Sequence, residues 1–206
     1  RKLEMVSPYG QSSTQLDATY EQLNAALGFK TSPVTGLWFN IYGGYQDLKN
    51  NLASAAIANY SGSYLQLLQG NMHNIYAGAE ASYSYKDIIS FTASGIYRDW
   101  KTAKTENNSG DQLLYYMPSF EANFKVDIRP VSSVLINLGY QHITREKIGN
   151  ERVDPVGNLY LGGSYEVFEG ISIYVRANNL LNKDYQYYPG YPTEGINFMG
   201  GVSFRF

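Results

Sequence analysis

Nine charged side chains occupy positions that alternate with apolar residues: Lys30, Glu80, Arg98, Glu121, Lys125, Asp127, Glu166, Arg176 and Arg205. Residues two apart on an extended chain share a face. This spacing therefore builds a charged wall and not a catalytic constellation. Charges on such a wall are costly to bury alone, so they must meet water, pair across strands or contact another protein segment. Arg176 and Glu166 fall on neighbouring predicted strands and are candidates for one cross-strand pair. Nucleophilic and metal chemistry find little footing. No G-x-S-x-G, HExxH or glycine-rich phosphate loop occurs, and "LGGSY" (161–165) reads as a strand interior where small residues admit close neighbours. His73 and His142 each lack a second ligand at metal spacing. With no cysteine, disulfides and thiolate metal sites are excluded. The catalytic alternative is a rim hydrolase setting His142 beside Asp99 or Asp154, but the expectation is a protein that is not an enzyme and carries no cofactor.

The elements that hold these residues are strands. The 206 residues include 20 tyrosines, 20 glycines and 9 phenylalanines, with only 17% charged residues, a balance suited to half-wet β-structure. The net charge of −2 and the absence of a basic stripe give nucleic acid no purchase. No run of about 18 apolar residues is present, so no transmembrane helix is expected. The opening "RKLEMVSPYG" has no initiator Met and no signal-peptide core, which reads as a processed or partial chain.

Alternation recurs along the chain. Leu23, Ala25, Leu27 and Phe29 share one face, and so do Leu37, Phe39, Ile41, Gly43 and Tyr45. The pattern repeats at Ala77–Tyr83, Phe91–Tyr97, Phe120–Ile128, Val134–Tyr140, Leu159–Val167, Ile171–Ala177 and Ile196–Phe206. Nine strands of about a dozen residues result. Connections alternate between tight turns (32–36, 86–87, 129–133, 169–170) and long polar loops (about 47–73, 101–112, 146–155 and 182–193). The first of these loops contains "NLASAAIANY", a candidate short helix.

A dozen residues rising ~3.3 Å each, tilted ~45°, climb roughly 28 Å, the depth of a bilayer core. The apolar phase is small or aliphatic at mid-strand and aromatic at the ends. Phe29, Tyr83, Tyr85, Phe91, Phe168, Phe204 and Phe206 lie near the tight turns; Tyr45, Tyr97, Trp100, Tyr116 and Tyr140 lie near the long loops. Such girdles mark a membrane barrel with apolar residues outward and the polar phase lining the lumen. The fold class expected is all-β: a transmembrane antiparallel up-and-down β-barrel. A soluble sandwich, with these apolar residues packed inward, is the alternative.

Strand parity adds a constraint. Bacterial barrels have even strand counts and tight turns on the periplasmic side. With nine strands and a descending last strand, the first strand must also descend. Either "KLEMV" is the upper part of a tenth strand, or the chain is part of a larger barrel. Residues 1–17 read as a loop, which favours the second.

The segment "YVRANNLLNKDYQYYPGYPTEGINFMGGVSFRF" resembles the C-terminal end of a TonB-dependent receptor. Its element is carried by Asn179, Leu180, Leu181, Asn182, Lys183 and Tyr185, with Phe206 as the terminal aromatic. The resemblance implies a 22-stranded barrel closed by an N-terminal plug, of which residues 1–206 would be the C-terminal part without the plug. It implies outer-membrane location in a Gram-negative cell and uptake of a siderophore, cobalamin or glycan. The implied partners are outer-membrane lipid, the plug and remaining strands, the TonB complex, and the barrel-assembly machinery at the C-terminal strand. A self-standing small barrel with a structural or adhesive role is the alternative. The loop aromatics Trp100, Tyr187, Tyr188 and Tyr191 either stack on a ligand at the outer rim or anchor the loops by packing.

Overall fold

The structure, a computed structural model, describes residues 3–6, 13–59, 62–102, 113–114, 117–146, 153–188 and 191–205. Two short strands, β1 (Leu3–Val6) and β2 (Ser13–Leu16), pair only with each other. Of "KLEMV", the described Leu3–Val6 pair with β2 and, among the described residues, with no wall strand, so they do not form the top of a tenth one. The wall itself has nine strands: β3 (Tyr20–Val34), β4 (Leu37–Asn59), β5 (Gly62–Tyr85), β6 (Ile89–Thr102), β7 (Pro118–Ile128), β8 (Val134–Arg145), β9 (Val156–Phe168), β10 (Ile171–Asn178) and β13 (Asn197–Phe204). They hydrogen-bond in chain order, all antiparallel, with β3 and β13 as open edges. Between β10 and β13 the loop forms a small ribbon from β11 (Gln186–Tyr188) and β12 (Tyr191–Pro192).

The tight turns use the residues their geometry demands. Lys86 and Asp87 both adopt positive φ, at 49° and 56°, the sense that matches the twist of the flanking strands, in a three-residue connection (Lys86–Ile88) between the paired Tyr85 and Ile89. Gly36 and Gly170 supply the left-handed positions of two other turns. The first turn is shorter than the sequence suggests: β3 continues through a bulge to Val34, leaving Thr35 and Gly36 to reverse the chain.

The largest departure is at 47–73. Among the described residues no helix or irregular loop forms there. Strands β4 and β5 continue as a ribbon, in register from Asn51↔Gly70 to Asn59↔Gly62. Pairing with β3 ends at Tyr20↔Lys49, and pairing with β6 ends at Met72↔Thr102. The nine residues from Asn51 to Asn59 therefore project about 30 Å past the neighbouring strands. A bulge at Asn50, φ 55°, marks the change. Its side chain donates to the Ala18 carbonyl at 3.1 Å, and Gln69 exchanges both amide bonds with the Asp17 backbone, at 2.6 and 3.0 Å. The approach to β3 is thus fastened to the base of the ribbon.

Side-chain contacts sort the two faces. On one face Phe29 meets Phe39, Tyr45 meets His73, and Phe120 and Tyr140 both meet His142. Its large apolar residues are exposed, among them Leu27 at 86%, Phe124 at 53% and Val175 at 66%. Leaving one such side chain in water forfeits about 1.5–3 kcal/mol. For about twenty of them the deficit exceeds the entire stability of a normal domain. Only an apolar medium outside the sheet relieves it. The dry central core required by a soluble sandwich does not form.

Candidate functional site

The opposite face is polar and is where the loops fold. Near the tight turns it begins with Lys30, whose ammonium sits 4.7 Å from the Trp38 ring. Arg98 meets Glu121 at 3.3 Å across β6 and β7, and Lys125 meets Asp127 at 2.8 Å along β7. Glu80, on β5, stands opposite Asn40 and Ser94. In the other part of the wall, Arg176 does not meet Glu166. A bulge sets Glu166 opposite Ser172, four residues or about 13 Å from Arg176 along β10. Glu166 instead accepts the Gly170 amide at 3.2 Å, closing its own turn. Arg205 follows the last strand there, its backbone N–H donating to the Gly170 carbonyl at 2.7 Å.

Tyrosines pave this face. Tyr42, Tyr76, Tyr160 and Tyr174 each lie on the glycine directly across the ladder: Gly78, Gly44, Gly139 and Gly201. A Cβ on Gly139 would overlap the Tyr160 ring, so glycine is what allows that ring to lie flat. The Tyr76 hydroxyl reaches Asn24 at 3.2 Å, and Asn74 donates to Gln46 at 2.7 Å. Sequence alone does not reveal these pairs. Tyrosines 42, 76, 160 and 174 stand out among polar-phase neighbours, but the partner glycines follow only from the register.

The outer end is closed by buried side chains. Asn179, φ 51° and buried, donates to the carbonyls of Lys183 and Glu194, both at 3.0 Å. Its oxygen accepts the Lys183 amide at 3.1 Å, and its own backbone N–H reaches Asn158 at 2.9 Å. Leu180 bonds back to the Leu159 carbonyl at 2.9 Å. Asn182, φ 49°, accepts the Ile196 amide at 3.3 Å. The element read from Asn179 to Tyr185 is therefore a latch that ties both ends of the last loop to β9.

Arg145, which the sequence reading passed over, straps the same loop down. It is buried at the top of β8 and donates to the carbonyls of Gln186 and Tyr187, at 2.8 and 3.1 Å. The Tyr187 hydroxyl donates to Gln141 on the polar face at 2.7 Å. Tyr185 is buried edge-on against Tyr187, 5.5 Å between centroids, and burial pushes its phenol up to about 12, with Tyr187 adding to the effect.

Trp100 is corrected in the face it occupies. By register it faces Asn74 on the polar side, not the outward girdle. It is also buried, its indole N–H donating to the Pro118 carbonyl at 2.9 Å, so it packs and does not present a surface. Tyr191 is 75% exposed. Phe206, Tyr116 and Tyr60, and the side chains of Tyr64 and Tyr188, lie outside the described residues. His142 packs among outward aromatics, while Asp99 pairs with Lys101 at 3.0 Å. No group of three or more potential metal ligands occurs among the described residues.

An all-antiparallel, chain-ordered sheet with an apolar exterior, a polar inner wall and loops folded over one end is a portion of an outer-membrane type β-barrel, not closed on itself. The solved structures it resembles include several TonB-dependent receptors. The copper transporter OprC is 18% identical with a TM-score of 0.69, over 89% of this chain and 31% of that one. The FrpB iron transporter of Neisseria meningitidis is 15% identical with a TM-score of 0.66, over 89% and 31%. The ferric-catecholate import receptor Fiu of E. coli K12 is 14% identical with a TM-score of 0.64, over 93% and 28%. The chain thus has the fold of a receptor barrel portion and spans less than a third of these proteins. No family profile and no curated protein matches the sequence.

Proposed function

We propose that this chain is the C-terminal part of the barrel of a TonB-dependent receptor in the Gram-negative outer membrane. Residues 1–206 then form no plug of their own, and the protein takes up a siderophore, cobalamin, glycan or related metal-bearing ligand. The observation that carries the reading is the nine-strand wall, apolar outside and polar inside, overlapping about a third of each solved receptor. In this reading the wall contacts lipid on its outer face and a plug on its inner face. Energy comes from the TonB complex acting on that plug, and the last strand engages the barrel-assembly machinery. The two unpaired edges support a larger barrel over a self-standing one, because lipid cannot satisfy open backbone groups.

Uptake in the native host tests this. Deleting the gene should abolish accumulation of at least one radiolabelled metal complex, and deleting TonB should abolish it equally. Unchanged accumulation across a panel of siderophores, cobalamin, copper and labelled oligosaccharides would sink the transport reading. Separately, a water-soluble maleimide should label Asn137→Cys and spare Phe124→Cys in whole membranes. The reverse pattern would invert the barrel.

A further inference from the structure

Arg176, like Lys30, has an aromatic ring beneath it, and in addition a chain of side-chain amides holds its edge. Its guanidinium face rests 4.1 Å from the Tyr160 ring centroid. Its Nε donates to Asn178 at 2.8 Å, Asn178 donates to Asn197 at 3.1 Å, and Asn197 donates to the Gly195 carbonyl at 3.1 Å. Tyr160 in turn lies flat on Gly139. One edge and one face of the fork are therefore fixed, leaving the two Nη groups as the end that points onward. Directly across the ladder stands Gly162, which has no side chain to meet them; the amide of Asn137 leans over it. Among the described residues no carboxylate pairs with Arg176. A planar guanidinium held by face and Nε is pre-set to take a carboxylate through both Nη groups.

We propose that Arg176, backed by Tyr160 and Asn178, is an anion clamp on the inner wall, and that its ligand is a carboxylate. The inference rests on the polar face being the wet interior. The carboxylate comes either from an acidic side chain of a segment seated inside the barrel or from an anionic solute passing through it.

Residue-resolved modification by p-hydroxyphenylglyoxal tests the clamp on the intact protein in its native membrane, with acetate as the probe. If the anion is a solute, Arg176 reacts in acetate-free buffer and slows at least fivefold, saturably, as acetate is added. If it is an internal carboxylate, Arg176 is protected without acetate, and 1 M salt or Gly139→Ala, which lifts the Tyr160 ring, speeds reaction at least fivefold. Either result supports the clamp. A rate indifferent to acetate, to salt and to Gly139→Ala overturns it. The maleimide reaction at Asn137→Cys separates the two failures. A labelled, wet wall with an indifferent Arg176 rejects the clamp alone, whereas an unlabelled wall rejects the interior assignment beneath it.

Discussion

The inner wall is built differently in its two parts. From β3 to β7 the cations Lys30, Arg98 and Lys125 stand among the anions Glu21, Glu80, Glu121 and Asp127; two ion pairs form, and Glu21 accepts from Gln46 and Asn24. From β8 to β13 the wall cations Arg176 and Arg205 stand with one wall acid, Glu166, which is turned back into its own turn. Neutral asparagines, tyrosines and glycines fill the rest. The first part is electrostatically self-sufficient. The second has fewer acids of its own, and its Arg145 donates to neutral loop carbonyls. Charge that is balanced in place makes a passive surface, while charge left over makes a receptive one.

The strongest way to break this contrast is through the edges, since β3 bounds one part and β13 the other. The isolated 206-residue chain should stay protease-sensitive in detergent. A monomeric, resistant, closed form would bring β3 against β13 and make the two parts neighbours. Next comes Asn179→Ala, which removes three side-chain hydrogen bonds of roughly 1 kcal/mol each. Amide exchange in the 182–195 loop should accelerate about a hundredfold, with β3 to β7 unaffected. Arg145→Met should loosen the same loop by about 2 kcal/mol, read the same way. Glu121→Gln, in the balanced part, should cost less than about 1 kcal/mol, because the pair is partly exposed and water screens it. A thermal shift as large as that of Arg145→Met would erase the distinction.

The smallest effect is a pH dependence of the loop. Tyr185 ionises near 12 when buried but at an ordinary 10.0 once the loop opens. Its contribution to closure is therefore complete below about pH 10 and is lost as pH rises toward 12, because the open loop releases the proton first. In an ultraviolet titration, Tyr185→Phe should remove the last phenol to ionise.

Much of the wall is legible in the sequence because one face must be apolar, and a two-residue period records that necessity. Leu27, Phe124 and Val175 were placeable on that ground alone. The β4–β5 ribbon is not: from Asn51 to Asn59 and from Gly62 to Gly70 the two strands pair with no third strand among the described residues, so no face is obliged to be apolar and the letters resemble a loop. Trp100 was misplaced because an aromatic near a strand end suggests a girdle, whereas parity sends it inward. The Glu166–Arg176 pair fails on distance from the turn: Glu166 stands opposite Ser172 at the base of the hairpin, and Arg176 lies four residues further along, opposite Gly162. Arg145 and the tyrosine–glycine paving depend on contacts between distant segments, and no local pattern encodes those.

In the wall, each strand bonds only to its neighbours along the chain. The hairpin is therefore the indivisible step of construction: a pair of strands can be added or lost at a tight turn without rethreading what remains. Barrels of this plan can change girth by duplication, and a wall of nine strands can keep its own geometry inside assemblies of very different circumference.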